Sequence, residues 1–375
     1  MRLLTFLFIS TLFVFTSTGY GQKPMSGGRT VWSAEQAVKW SAKQPWLVGA
    51  NFLPSTAINQ LEMWQGDSFD TLTISRELKW ASGIGMNTMR IFLHDLAYAA
   101  DPTGFKKRMD IVLQIASRYG IRPLFVIFDS CWDPFPHTGK QHTPAPYLHN
   151  SGWVQSPGAD ALKDATQYKR LEKYVIDVVR SFRNDPRILG WDVWNEPDNT
   201  NEGSYNRFEP YDKVALVEKL LPQVFQWARM ANPVQPLTSG IWAGNWSSDN
   251  SLSAMQKIMI QESDIISFHN YENAASFEKH IQWLQRYHKP LLCTEYMARP
   301  NHSTFQEIMP VAKKYHVGVI NWGFVNGKSQ TIYPWDSWRK KYDGEPVLWF
   351  HDIFRANGTP YQQEEVQFIK TITGR

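Results

Sequence analysis

Eight short apolar runs, each followed by apolar residues at helical spacing, describe an α/β chain whose simplest closed arrangement is a parallel (β/α)8 barrel. Two further observations favour that arrangement. The alternation continues along 375 residues without an internal repeat, a composition break or a low-complexity linker, so a single domain is expected. The rival open sheet would carry a glycine-rich phosphate loop after its first strand, where this chain reads Asn51-Phe52-Leu53-Pro54.

Taken in order, Met1-Arg2, an apolar run over residues 3–15 and a small-residue stretch ending at Gly21 have the three regions of a secretory leader. Residues 1–21 are therefore expected to be a signal peptide, leaving a domain over 22–375 that is secreted or periplasmic. The apolar run is too short to span a bilayer, no later stretch is long and apolar enough, and no cysteine follows the run to carry a lipid. Ser33 and Gln36 form a capping box for a short leading helix, and residues 46–52 read as the first strand. A loop with Pro54 and Trp64 follows. Asp70 caps a helix that reaches Trp80 and ends at Gly83, and residues 86–92 form the second strand. Phe105, Met109, Val112, Ala116 and Tyr119 recur at helical spacing, Gly120 stops that helix, and residues 121–128 are the third strand.

Residues 129–158 are rich in Pro, His and Trp and far longer than a connector needs to be, so a solvated lid is expected there. The histidines in it, His137, His142 and His149, match no familiar metal-ligand spacing. A helix over 161–182 leads into the fourth strand, which stops at Glu196 because Pro197 has no amide hydrogen to give. A residue before proline is expected in extended geometry. Val214, Val217, Leu221, Val224 and Ala228 mark the next helix, residues 235–240 the fifth strand and residues 264–269 the sixth. Phe277, Ile281 and Leu284 follow as a helix, and residues 289–296 form a seventh strand that again ends in a carboxylate, Glu295. Phe305, Ile308 and Ala312 mark one more helix, 318–324 the eighth strand, and 347–354 a closing helix.

A net charge of +4 from scattered Lys and Arg gives no basic patch, so neither nucleic acid nor an anionic membrane is expected as a partner, and a monomer is. Cys131 and Cys293 each fall in or just after a core strand and are expected to be free, buried thiols. The 17 tryptophans, 15 tyrosines and 21 phenylalanines are informative because many tryptophans, among them Trp132, Trp242, Trp246, Trp335 and Trp338, lie in loops. Flat apolar rings match the C–H faces of pyranose sugars, although such rings also fill crevices between helices.

On strands four and seven of an eight-strand ring, Glu196 and Glu295 face each other across the mouth where barrel enzymes place their chemistry. Facing carboxylates at about 5–5.5 Å suit retaining cleavage of a glycoside: one, kept protonated by burial and its neighbour's charge, protonates the leaving oxygen, while the other attacks the anomeric carbon. Arg90, on the second strand, is the cation placed to hold the attacking group ionised. No cofactor and no metal is expected, since a metal-dependent barrel hydrolase would have only His94, Asp129 and His269 at its strand ends to draw on. A non-catalytic glycan-binding barrel is the alternative function.

Arg90 near the end of strand two, Asn195-Glu196-Pro197 ending strand four, His269-Asn270-Tyr271 after strand six, Glu295 ending strand seven and Trp322 in strand eight occur in an order that resembles clan A glycoside hydrolases, most closely the cellulase and mannanase group called family 5. The resemblance covers nearly the whole of 22–375. It implies a TIM barrel with Glu196 as acid/base, Glu295 as nucleophile, Asn195 as a partner of the sugar 2-hydroxyl and Tyr271 as donor to the nucleophile. His269 and Trp322 would line the sugar site nearest the cleaved bond, with Trp132 and Trp242 as further substrate contacts. The implied partner is a β-linked oligo- or polysaccharide of plant or microbial origin. One departure stands out. Strand three ends Phe128-Asp129-Ser130-Cys131-Trp132, where many members of the group carry a histidine supporting the acid/base, and His94 is the candidate to replace it.

Overall fold

A computed structural model describes residues 28–375; the expected leader lies outside the described residues. Eight parallel strands follow one another: β1 (Val48–Asn51), β2 (Thr88–Phe92), β3 (Arg122–Asp129), β4 (Gly190–Asn195), β5 (Leu237–Thr238), β6 (Ile266–His269), β7 (Leu291–Glu295) and β8 (Gly318–Asn321). Apart from β5 and β6, each pairs with its sequence neighbours, and β1 pairs with β8, so the ladder runs unbroken from β5 round to β6. Between β5 and β6 the ring closes more sparsely: the Asp264 amide donates to the Leu237 carbonyl at 2.8 Å and the His269 amide to the Ile241 carbonyl at 2.9 Å. Helices lie between successive strands, giving the (β/α)8 barrel.

The two ends of the barrel differ in polarity. At the N-terminal end Leu124, Leu189, Ile265, Leu292 and Ile320 form an apolar cluster. Ala37, on the leading helix Ala34–Ser41, packs into that cluster and closes it, held in place by the Ser33 capping box. The C-terminal ends of the strands carry buried polar groups instead, among them Asn51, Asp129, Asn195, His269, Glu295 and Asn321. Burying so many hydrogen-bonding groups is costly unless they satisfy one another or a ligand, which marks this end for function.

Several elements differ from the sequence-based expectation. Trp64 belongs to a short helix, Gln60–Trp64, capped by Asn59, and its buried indole donates to the Phe92 carbonyl at 2.7 Å. The helix expected over 161–182 is two, Ala159–Lys163 and Tyr168–Ser181, because the Asp164 side chain accepts from the Thr166 amide (2.9 Å) and hydroxyl (2.7 Å) and so starts a new helical segment. The fifth strand contracts to two residues, and β8 ends at Asn321, leaving Trp322 just beyond it. No helix forms over 347–354. The carbonyls of Trp349 and Asp352 accept instead from the buried Arg299 guanidinium at 3.0 and 2.9 Å, and the closing helix is Gln363–Thr373, which buries Val366 and Ile369.

Only the first half of the stretch after β3 is solvated: residues 135–148 are largely exposed. Residues 149–158 are buried throughout, since the chain turns back on its own strand: the Asp129 amide donates to the Ser156 carbonyl at 2.6 Å and the Ser156 amide to the Asp129 carbonyl at 2.9 Å. Cys131 and Cys293 are both free and buried, as expected.

Candidate active site

The site grows out of Arg90, which β2 projects into the barrel axis with no exposed surface. A buried guanidinium must be surrounded by acceptors. Asp192 on β4 takes two of its N–H groups, at 3.0 and 2.7 Å, Asn51 on β1 takes another at 3.0 Å, and the Asn195 Oδ1 takes another at 2.7 Å. The remaining contact is to Glu295 Oε1 at 2.8 Å. Neighbouring negative charges keep Arg90 ionised, its pKa raised despite burial. The guanidinium is thus a fixed strut from β1, β2 and β4 to the Glu295 carboxylate at the end of β7.

Glu295 receives its second donor from the Tyr271 hydroxyl, 2.7 Å from Oε2. Burial raises this carboxyl above its ordinary range; His269 and Arg90 pull it down, and the charge of Glu196 pushes it up. Glu196 stands opposite with a different set of neighbours. Its Oε1 lies 2.8 Å from His269 Nδ1, and its Oε2 accepts from Asn199 Nδ2 at 2.6 Å and from the Cys131 thiol at 3.3 Å. Burial raises Glu196 to about 7 against those hydrogen bonds. One oxygen of each carboxyl and a ring nitrogen of His269 all fall within 4.8 Å of one another. Two carboxyls so close cannot readily ionise together, and the proton resides on Glu196, whose contacts are neutral, while Glu295 faces a cation.

The neutrality of His269 supports this division. Burial lowers its pKa to about 4, so at neutral pH it is an uncharged hydrogen-bonding group whose Nε2 has no protein partner. Glu196, His269 and Glu295 are also the one group of acids, histidines or cysteines among the described residues close enough to hold a metal ion. The guanidinium 2.8 Å from Glu295 repels a cation there.

The backbone at Glu196 departs from the geometry expected before a proline. Its φ is +41°, in the left-handed region that a bulky residue rarely adopts. The turn after β4 imposes it: the Asn199 amide donates to the Glu196 carbonyl at 2.9 Å, while Asn199, Cys131 and His269 together hold the carboxyl in the cleft. Such strain is tolerated where the surroundings over-determine a functional side chain.

Asn195, at the end of β4, donates to Asp129 Oδ1 at 2.9 Å and accepts from Arg90, so its amide is locked in one orientation. Asp129 itself accepts also from the Cys131 amide and from the Trp153 indole at 2.6 Å, and acts as an anchor for Asn195. Trp322 packs edge-on against Phe92 and Trp153 with ring centres 5.8 and 5.5 Å away and presents its remaining surface to the cleft. Trp132 stacks on Trp338 at 5.5 Å, and the Trp242 indole donates to Asp198 at 2.7 Å. Trp132, Trp242, Trp322 and Trp338, with Trp335, line a cleft of about 1070 Å³ that contains both glutamates. Every site residue singled out from the sequence except Arg90, which reaches it through Glu295, therefore borders this cleft.

His94 does not support Glu196. It is buried as the cap of helix Asp95–Ala100, its Nδ1 accepting from the Leu96 amide at 3.1 Å. Its place beside the acid/base candidate is taken by Cys131, Asn199 and His269. Cys131 and Asn199 gave no functional signal in the sequence, where the one read as a core thiol and the other was not singled out.

The Glu196 environment carries a stability prediction. A carboxyl near 7 in the folded state and about 4.3 unfolded binds more protons in the native state between those values, so stability falls as pH rises through that window. Glu196→Gln removes the cost, at most roughly 4 kcal/mol. Thermal melts should show the variant a few degrees more stable than the parent at pH 8, the gain disappearing by pH 4. A lower melting temperature at pH 8 would contradict the burial of an acid there.

A family model for cellulase (glycosyl hydrolase family 5) matches residues 54–328. No curated protein matches the sequence. Among solved structures, the endo-1,4-beta-D-mannanase of Thermotoga petrophila RKU-1 superposes with a TM-score of 0.55 at 15% identity, over 88% of this chain and 99% of its own. An exo-beta-1,4-mannosidase of Opitutaceae bacterium strain TAV5 gives 0.59 at 17% identity over 94% and 63%. The endo-1,4-beta-mannanase of Rhizomucor miehei gives 0.57 at 12% identity over 88% and 95%. At these identities the likeness establishes the shared barrel.

Proposed function

The chain belongs to the cellulase family of glycosyl hydrolases, family 5, and from that premise we propose that it hydrolyses a β-linked oligo- or polysaccharide by double displacement, with Glu196 as acid/base and Glu295 as nucleophile. A retaining glycosidase of clan A is what membership of the family entails. The observation that carries the residue assignment is the pair of buried carboxyls at the ends of β4 and β7, with oxygens within 4.8 Å and unlike neighbours.

The chemistry follows from that asymmetry. Glu196, protonated near neutral pH, gives its proton to the glycosidic oxygen as the bond to the leaving sugar breaks. Glu295 Oε1 or Oε2 attacks the anomeric carbon and forms a glycosyl ester; Arg90 and Tyr271 fix the carboxylate for that attack and stabilise it again when it leaves. Glu196, now ionised, takes a proton from the incoming water, and the carboxyl separation, close to the roughly 5–5.5 Å of retaining enzymes, leaves no room for a water beneath the sugar in the first step. The neutral His269, bridging both carboxyls, keeps them oriented without adding a charge.

The test is hydrolysis of soluble β-mannan, β-glucan, xylan and galactan and of aryl β-glycosides, followed by proton NMR of the first sugar formed. Mannans come first in that screen because mannan-active enzymes share the fold. The β-anomer should appear first and mutarotate later. An α-anomer appearing first from a β-linked substrate means inversion and discards the mechanism.

The same reading includes export. Residues 1–21 would direct the chain across a membrane to a secreted or periplasmic destination. Mass spectrometry of the protein recovered from its native host should find a mature N-terminus near residue 22; an N-terminus at Met1 refutes it.

A further inference from the structure

The stretch after β3 has a second use. Its residues 145–150 meet the loop after β8 in a run of hydrogen bonds: the Asn150 amide donates to the Ser329 carbonyl at 2.9 Å, the His149 amide to Ser337 Oγ at 3.1 Å, and the Trp338 indole to the His149 carbonyl at 2.8 Å. Gln330 ties the same segments, accepting from the Tyr147 amide at 2.9 Å and donating to the Ala145 carbonyl at 2.6 Å. In the ring β3 and β8 are separated by β2 and β1, so the joined loops pass in front of two strands. The lining of the cleft agrees: it draws on loops after β3 to β8, and among the described residues on none after β1 or β2. Asn150 and Trp322 form the partition, with a separate small cavity behind them. A cleft open at both ends passes a polymer; this one is walled at the β1–β2 side.

The wall holds buried polar groups that nothing in the protein satisfies. Asn150 is 1% exposed, yet neither its Nδ2 nor its Oδ1 has a partner. His149 is fully buried; its Nδ1 lies 2.7 Å from the Tyr333 carbonyl, which accepts its hydrogen and leaves Nε2 as an acceptor, also without a partner. Buried polar groups without partners are rare in native proteins, and an adjacent set of donor and acceptors on a cleft wall is what sugar hydroxyls would fill. The wall also lies on the side of the nucleophile. Trp322 donates its amide to the carbonyl of Tyr296, the residue after Glu295, at 2.9 Å, whereas Glu196 opens towards Asp198 and Trp242.

We propose that the joined loops after β3 and β8 make the glycone end of the cleft a blind pocket, in which His149 and Asn150 bind hydroxyls of the terminal sugar, so that the enzyme acts from the non-reducing end of its substrate. This rests on the catalytic reading of the two glutamates given above. The leaving portion extends over the open side, past Trp242, and its length is unrestricted. The glycone is limited to what fits between Glu295 and the wall.

The experiment uses mannohexaose, cellohexaose and xylohexaose, each labelled at the reducing end, together with the corresponding soluble polysaccharides. With whichever sugar is cut, one unlabelled product of a single short length should accumulate from the first minutes, and polymer viscosity should fall little per bond broken. An early ladder of intermediate lengths, or rapid loss of viscosity, overturns the proposal. Asn150→Gly keeps the left-handed backbone of residue 150 (φ +48°) and removes only the amide. It should raise KM about tenfold with a smaller change in kcat, as expected for one lost hydrogen bond to substrate. His149→Gln should do the same, and unchanged KM in both variants counts against the pocket. Should no glycoside be cut at all, the catalytic reading fails separately, and titration calorimetry with the three hexaoses still decides the pocket: weaker binding by Asn150→Gly supports it, while equal binding or none overturns it.

Discussion

Glu295→Ala should lower turnover by about 10⁴-fold or more while the protein stays folded, because the group removed forms the covalent intermediate and no neighbour can replace it. The Tyr271 hydroxyl, 2.7 Å from Oε2, is kept protonated by burial and the nearby carboxylates, and His269, 3.6 Å from Oε2, turns its Nδ1 to Glu196. Folding survives because Arg90 retains Asp192, Asn51 and Asn195 as acceptors when Glu295 is lost, so the buried cation is not left unpaired. The diagnostic is rescue. With an activated aryl β-glycoside, azide fits the space vacated by the carboxylate and attacks the anomeric carbon from the side Glu295 occupied, giving an α-glycosyl azide. Circular dichroism and product NMR check both halves. Residual activity near that of the parent, in a folded variant, would remove Glu295 from the mechanism.

The features legible in the sequence were those written in short, local patterns. Glu196 and Glu295 were found because each ends an apolar run at a strand terminus, and the eight-fold alternation alone placed them at one end of one barrel. Period and turn chemistry are local, so the helices capped by Ser33 and Asp70 were found as well. What stayed hidden depends on contacts far apart in sequence. Cys131 meets Glu196 across 65 positions, and nothing about a cysteine after a strand announces that its thiol will touch a carboxyl. Asp192, a charge inside a buried strand, is explained only by Arg90, 102 positions away. The helix over 347–354 was misread for the same reason: its apolar spacing is genuine, but Arg299 captures the carbonyls that a helix would need. The lid expectation failed for residues 149–158 because loop composition, rich in Pro and His, does not reveal the pairing of Ser156 with Asp129 that buries them. At Glu196 the local preference before proline was outweighed by the contact of its side chain with Asn199 in the following turn and by two tertiary contacts, to Cys131 and His269.

Glu196→Gln separates the acid role from all others. On an oligosaccharide whose leaving group is a sugar, the glycosidic oxygen must be protonated as the bond breaks, and the variant should lose about 10²–10⁴-fold in kcat/KM. On a dinitrophenyl glycoside, whose leaving group departs as a stable anion, glycosylation should fall less than about tenfold. The isosteric amide keeps the shape that Asn199, Cys131 and His269 surround, so a difference between the substrates reports proton transfer rather than misplacement. The pH profile gives an independent reading. With the acid near 7, the kcat/KM of the parent for oligosaccharide should fall as pH rises through that value, since the ionised form has no proton to give, and this alkaline limb should be absent in the variant. Neither His269, held near 4, nor Cys131, whose thiol burial and nearby carboxylates push well above its ordinary range, can produce a limb near 7 in place of Glu196. Persistence of the limb in Glu196→Gln, or equal losses on both substrates, would assign the proton to another group.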